Sequence, residues 1–123
     1  MSQLLQEIEA LRKPMKELND FIFDHPELGN EEFKAHELLT NLLEKEGFIV
    51  DREVSGLKTA FRAVYHVNGG GPKIGLLCEY DALEGLGHAC GHNLQGPSIC
   101  TAAIALKRTL QAPCTLVVYG TPA

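Results

Sequence analysis

Two short, nearly continuous apolar runs, residues 73–79 and 115–120, flank a glycine-rich segment followed by a helix-length stretch. No other feature limits the fold as much. An apolar run of that length suits a strand buried on both faces of a parallel sheet. Parallel neighbours need a crossover of a dozen or more residues, and 80–114 supplies one. Such β-α-β units are right-handed in nearly all proteins. Functional groups in these sheets gather at the carboxyl ends of the strands. The segment after residue 79 and the one after residue 120 are therefore expected to be neighbours in space.

The chain before residue 73 reads in two halves. Residues 2–25 carry helical periodicity through Leu4, Leu5, Ile8, Leu11, Met15, Leu18 and Ile22. Pro14 interrupts it, which predicts a kink or two short helices in tandem. His25-Pro26 ends that unit, because the residue before a proline disfavours helix. Asn30 is then expected to cap a second helix, with Glu31 and Glu32 in its first turn. Ala35, Leu38, Leu39, Leu42 and Leu43 form its apolar face, and Gly47 is its C-terminal stop. From Phe48 the period falls to two. Strands are predicted over 48–54 and 59–67, the second alternating Phe61, Ala63, Tyr65 and Val67 against Arg62, Val64 and His66, with a turn over 68–72. The last helix should carry Ile99, Ala102, Ala103, Leu106 and Leu110. The expected fold class is α/β, a mixed sheet with flanking helices and a terminal parallel β-α-β unit.

At 123 residues the chain is at most one domain. A net charge of −5, with no run of Lys or Arg longer than two, argues against a nucleic-acid partner. No stretch approaches the roughly 20 apolar residues that span a bilayer. The N-terminus lacks the basic and apolar regions of a signal peptide, so a cytoplasmic location with reduced cysteines is expected. Cys78, Cys100 and Cys114 lie in apolar surroundings and read as core residues. Cys90 differs, with His88 and His92 two residues to either side.

Residues 80–93, Tyr-Asp-Ala-Leu-Glu-Gly-Leu-Gly-His-Ala-Cys-Gly-His-Asn, crowd Asp81, His88, Cys90 and His92 together. Thiolate and imidazole suit a borderline-soft divalent cation, and the glycines let the backbone turn them toward one point. The paired CxxC spacing of a closed structural site is absent, so a metal here would sit in an open, catalytic one. Asp81 either orients a ligand or caps the turn. Glu79 either ligates or ends the strand as a solvated charge. Asn93 reads most simply as a cap for the following helix, His25 as a solvated or hydrogen-bonded loop side chain that could face a site, and His36 and His66 as surface residues. The bland alternative is a glycine-rich loop with a core cysteine and two solvated histidines. Gly85-Leu86-Gly87 is a poor dinucleotide fingerprint, because its third glycine would fall on Cys90. A Cys90 nucleophile with a histidine base leaves Asp81 and one histidine without a role.

Four segments in order, residues 25–28 with Glu32, 79–83, 88–93 and 120–123, resemble the signatures of the zinc-dependent aminoacylase/carboxypeptidase metallohydrolase superfamily. The likeness is to its amidohydrolase branch, which includes the hippurate and p-aminobenzoyl-glutamate hydrolases, and it covers almost the whole chain. Asn93 departs from the Asp found in much of that branch. The resemblance implies a two-metal site, zinc first with manganese, cobalt or nickel as alternatives, in which Cys90 and His92 are ligands and Asp81 is catalytic. It implies a small-molecule amide or dipeptide substrate and a homodimeric full-length enzyme. Two glutamates, a general base and a further ligand, would follow the fourth signature. Residues 1–123 are thus expected to be a partial catalytic domain, without the lid and dimerisation domain or the C-terminal half. Such a fragment is expected to be inactive; the rival expectation is a non-catalytic module with a remnant metal site that self-associates through an exposed sheet edge.

Overall fold

The structure is a computed structural model and describes residues 2–123. Four α-helices and four strands follow one another as α1 (Gln3–Ala10), α2 (Arg12–Asp24), α3 (Phe33–Lys45), β1 (Ile49–Asp51), β2 (Phe61–Val67), β3 (Lys73–Cys78), α4 (Gln95–Thr109) and β4 (Cys114–Gly120). A 3₁₀ turn, His92–Leu94, leads into α4. The sheet order is β1-β2-β4-β3, antiparallel except for the parallel β3–β4 pair. The expected mixed sheet and parallel β-α-β unit are both present. No helix among the described residues is long and apolar enough to cross a membrane.

The tandem helices form, but the break lies at Leu11 rather than Pro14. Pro14 falls in the first turn of α2, where the backbone N–H groups have no intrahelical partner, so its missing donor costs nothing. The start of α3 is a correction. Asn30 does not cap it: Asn30 adopts φ 65° and the helix begins at Phe33, so Glu31 and Glu32 precede its first turn. The cap comes from farther back. Glu27 accepts hydrogen bonds from the amides of Lys34 at 2.9 Å and Ala35 at 3.0 Å. A carboxylate there satisfies two orphan donors and complements the helix dipole. Gly47 ends α3 at φ 95°, as expected of a left-handed C′ residue.

The inner face of the sheet carries Phe61, Ala63, Leu116, Val118 and Cys78, all buried in one core with Leu39 and Leu43 of α3 and Cys100, Ala103 and Ile104 of α4. Its alternation on β2 is the one read from the sequence. α4 buries a different stripe from the expected one, Gly96, Cys100, Ala103 and Ile104, with Ile99, Leu106 and Leu110 at its margin. Gly96 explains the rotation: a Cβ there would stand 2.9 Å from the Leu39 methyls, so the glycine face is where α4 approaches α3 closely.

β4 is central and buried, as expected, but β3 is not buried on both faces. It has β4 on one side only among the described residues, and Ile74 and Leu77 are 41% and 60% exposed. The strand expected over 48–54 is only three residues long: the chain bends at Arg52 and Glu53, and Ser55 and Gly56, at φ 56° and 74°, form a tight turn closed by the Val54–Leu57 bridge.

Candidate metal centre

The loop after β3 is built by close backbone ties. Ala82 donates to the Glu27 carbonyl at 2.7 Å, and Leu83 and Gly87 exchange both amide bonds, closing a small turn around Gly85. Gly85, Gly87 and Gly91 take φ 73°, 62° and 88°, which side-chain-bearing residues rarely adopt. Gly91 donates to the His88 carbonyl, reversing the chain so that His92 turns back over the end of β3.

The two ends expected to be neighbours are so. Thr121 donates both its amide, at 2.9 Å, and its hydroxyl, at 3.0 Å, to the Cys78 carbonyl. Glu32 is fully buried and accepts from the Thr59 hydroxyl at 3.0 Å and the Ala123 amide at 3.3 Å. This carboxylate joins the start of α3 to the segment after β4. No local signal points to it, because its partners lie 27 and 91 residues away.

His92 and Asp81 come together. The ring Nδ1 stands 2.8 Å from Asp81 Oδ1, and both side chains are largely buried. An ionised carboxylate only accepts, so Nδ1 carries a proton and Asp81 holds that side of the ring. Of the two expectations for Asp81, orienting a ligand or capping the turn, the contact to His92 is the one its side chain makes here. Nε2 in turn lies 3.2 Å from Glu79 Oε2.

The other donors are not gathered with them. Cys90 is exposed. His88 is buried, and neither ring nitrogen has a hydrogen-bond partner; burial, with His92 nearby, pulls its pKa below the usual value. Among the described residues no three His, Cys, Asp or Glu side chains are arranged around one point. The donor chemistry fits a divalent cation all the same: one solvent-facing thiol, and one imidazole whose distal nitrogen a carboxylate fixes for coordination.

The remaining candidates have structural partners. Asn93 does not cap α4; it is buried and its amide donates to Asn19 on α2 at 2.7 Å, because Gly91 leads the 3₁₀ turn and Leu94 precedes α4. His25 bonds the Phe21 carbonyl and stacks on its ring. His36 is more than a surface residue: its Nε2–H is shared between the Arg52 carbonyl at 2.7 Å and the Ala60 carbonyl at 3.1 Å, stapling the β1–β2 connection to α3.

The cysteines separate by burial, which gives a direct check. Burial pushes the Cys78 thiol up to about 12 and raises that of Cys100 as well. Only the thiolate reacts. At mildly alkaline pH an aromatic disulfide reagent is expected to label Cys90 in a single fast phase, with the other three thiols appearing only on denaturation. Two or more fast thiols in the native chain would contradict this packing.

No protein-family model matches the chain. It is 42% identical over 121 residues to a p-aminobenzoyl-glutamate hydrolase polypeptide of Escherichia coli (strain K12), a match covering 85% of this chain and 25% of that protein. It is 38% identical over 131 residues to the Xaa-Arg dipeptidase of Mus musculus, covering 96% of this chain and 30% of the dipeptidase. Among solved structures, a dinuclear metal-binding peptidase of the M20 family from Bacillus subtilis superposes with a TM-score of 0.82 at 26% identity, covering 94% of this chain and 36% of that one. The chain thus spans about a quarter to a third of the relatives it matches.

Proposed function

We infer, for a chain whose homologues are metal-dependent amidohydrolases and peptidases of the M20 family, that it forms part of the catalytic domain of a metal-dependent amide hydrolase. The observation that carries this reading is the Asp81–His92 pair at the carboxyl end of β3, with Cys90 exposed two residues before His92 in the chain. Cys90 and His92 are the proposed ligands of a two-metal centre, zinc by donor type, with manganese, cobalt or nickel as alternatives. Divalent cations at such a site supply Lewis-acid polarisation of an amide carbonyl and acidify water.

The chain's own residues then have separable tasks. Asp81 accepts the Nδ1–H of His92, which fixes the tautomer, aims Nε2 outward and raises its basicity. In this role Asp81 is a positioning residue, acting through His92. Thr121 holds the segment after β4 against the end of β3, and Glu32 holds Ala123, so whatever continues from there begins at the edge of the site. The proposed substrates are small amides: N-acyl amino acids, aminobenzoyl-glutamate or dipeptides. The lid and dimerisation domain, and a homodimeric whole, belong to the same proposal.

The test is hydrolysis by the full-length gene product. Aminobenzoyl-glutamate and a dipeptide panel are expected to be cleaved, with loss of activity in chelator and recovery on adding zinc or manganese. The 123-residue chain alone is expected to show none. A full-length protein that cleaves no amide, or cleaves one regardless of chelator, overturns the proposal.

A further inference from the structure

Asp81 occupies Nδ1 of His92, so Nε2 is the ring nitrogen left to meet a cation. The side-chain atom facing it is Glu79 Oε2. We propose that Glu79 is a further metal-ligating side chain of this site, sharing a divalent cation with His92 Nε2. The proposal rests on the reading of His92 as a ligand.

Bonds of about 2.0–2.2 Å from zinc to imidazole nitrogen and carboxylate oxygen, at a tetrahedral angle, separate the two donors by about 3.3–3.5 Å. Here they stand 3.2 Å apart, so the pair has nearly that spacing without movement of either side chain. Glu79 is also held in place. Its amide donates to Gln95 Oε1 at 2.9 Å, and Gln95 Nε2 reaches back to Glu79 Oε2 at 3.4 Å. A carboxylate that merely ended a strand in solvent would have no such tether. Gln95, in the first turn of α4, acts as the outer partner that orients a ligand. The Glu79 side chain is 44% exposed, which leaves a cation a path from solvent. The sequence alone left Glu79 undecided; its contacts with His92 and Gln95, 13 and 16 residues on, decide it.

Zinc binding to the 123-residue chain, followed calorimetrically, and the visible spectrum of the cobalt(II) form test this. Glu79→Gln keeps the size and loses the charge; it is expected to weaken zinc binding by about 10-fold or more and to alter the cobalt bands. Gln95→Ala, which leaves both donors in place, should produce a smaller loss in the same direction. Circular dichroism confirms that each variant is folded. If Glu79→Gln binds zinc as tightly as wild type, with unchanged cobalt bands, while His92→Ala loses binding, Glu79 is not a ligand and the His92 reading stands. If both variants bind like wild type, or if wild type binds no zinc, both proposals fall.

Discussion

Asp81→Ala is expected to weaken divalent-cation binding by about 10- to 100-fold, the usual cost of removing a carboxylate that orients a ligating histidine. The bond it removes is the 2.8 Å contact to His92 Nδ1. Without it the imidazole is free to rotate and to take the other tautomer, which places a proton on Nε2 where the cation should be. Asp81→Asn separates geometry from charge. The amide oxygen can still accept the Nδ1–H, so orientation survives while basicity falls, and the affinity should lie between wild type and Asp81→Ala. Competition with a zinc-chelating dye measures all three. In the full-length enzyme the same change should lower kcat more than it raises KM, because the residue does not hold substrate. Equal affinity in wild type and Asp81→Ala would remove Asp81 from the site.

The Asp81–His92 contact was within reach of the sequence because its two residues are close along the chain. Asp81, Cys90 and His92 fall within one loop whose glycines announce its turns, and the apolar runs on either side place that loop at a strand end. The details that escaped depend on partners far along the chain. Glu27 caps α3 from seven and eight residues back, so a local reading assigned the cap to Asn30, which has the right residue type in the wrong conformation. Asn93 likewise looked like a cap and instead bonds Asn19, 74 residues earlier. The β3 error has another cause. Continuous hydrophobicity records that a strand is built to be covered, and it does not say by which segment; here its outer side chains stand exposed. The segments 25–28 and 79–83, read separately in the sequence, prove to be one unit, joined by the Leu28–Ala82 bridge and the Ala82 to Glu27 bond.

Gly120→Ala is expected to destabilise the fold by about 3 kcal/mol or more, at the upper end of overpacking costs. Gly120 ends β4 between Phe61 on β2 and Cys78 on β3. A Cβ there would stand 2.2 Å from two Phe61 ring carbons and 2.6 Å from the Tyr80 hydroxyl. Neither ring has room to yield. Both are 1% exposed and stacked with centroids 6.1 Å apart, and the Tyr80 hydroxyl is committed to the Thr59 carbonyl. Gly75→Ala is the control on the neighbouring strand: its Cβ would meet Tyr119 at an ordinary 3.6 Å, so the change should stay within about 0.5 kcal/mol. Urea denaturation of the two variants measures the difference. For a domain whose whole stability is about 5–15 kcal/mol, the Gly120 change removes a large share. The effect should also reach the site, because Tyr80 immediately precedes Asp81, and a ring displaced by the new methyl would shift the carboxylate that holds His92. Gly120→Ala is therefore expected to lose cation affinity even under conditions where it remains folded. A variant with wild-type stability and wild-type affinity would show that the Phe61–Tyr80 stack is not what positions this loop.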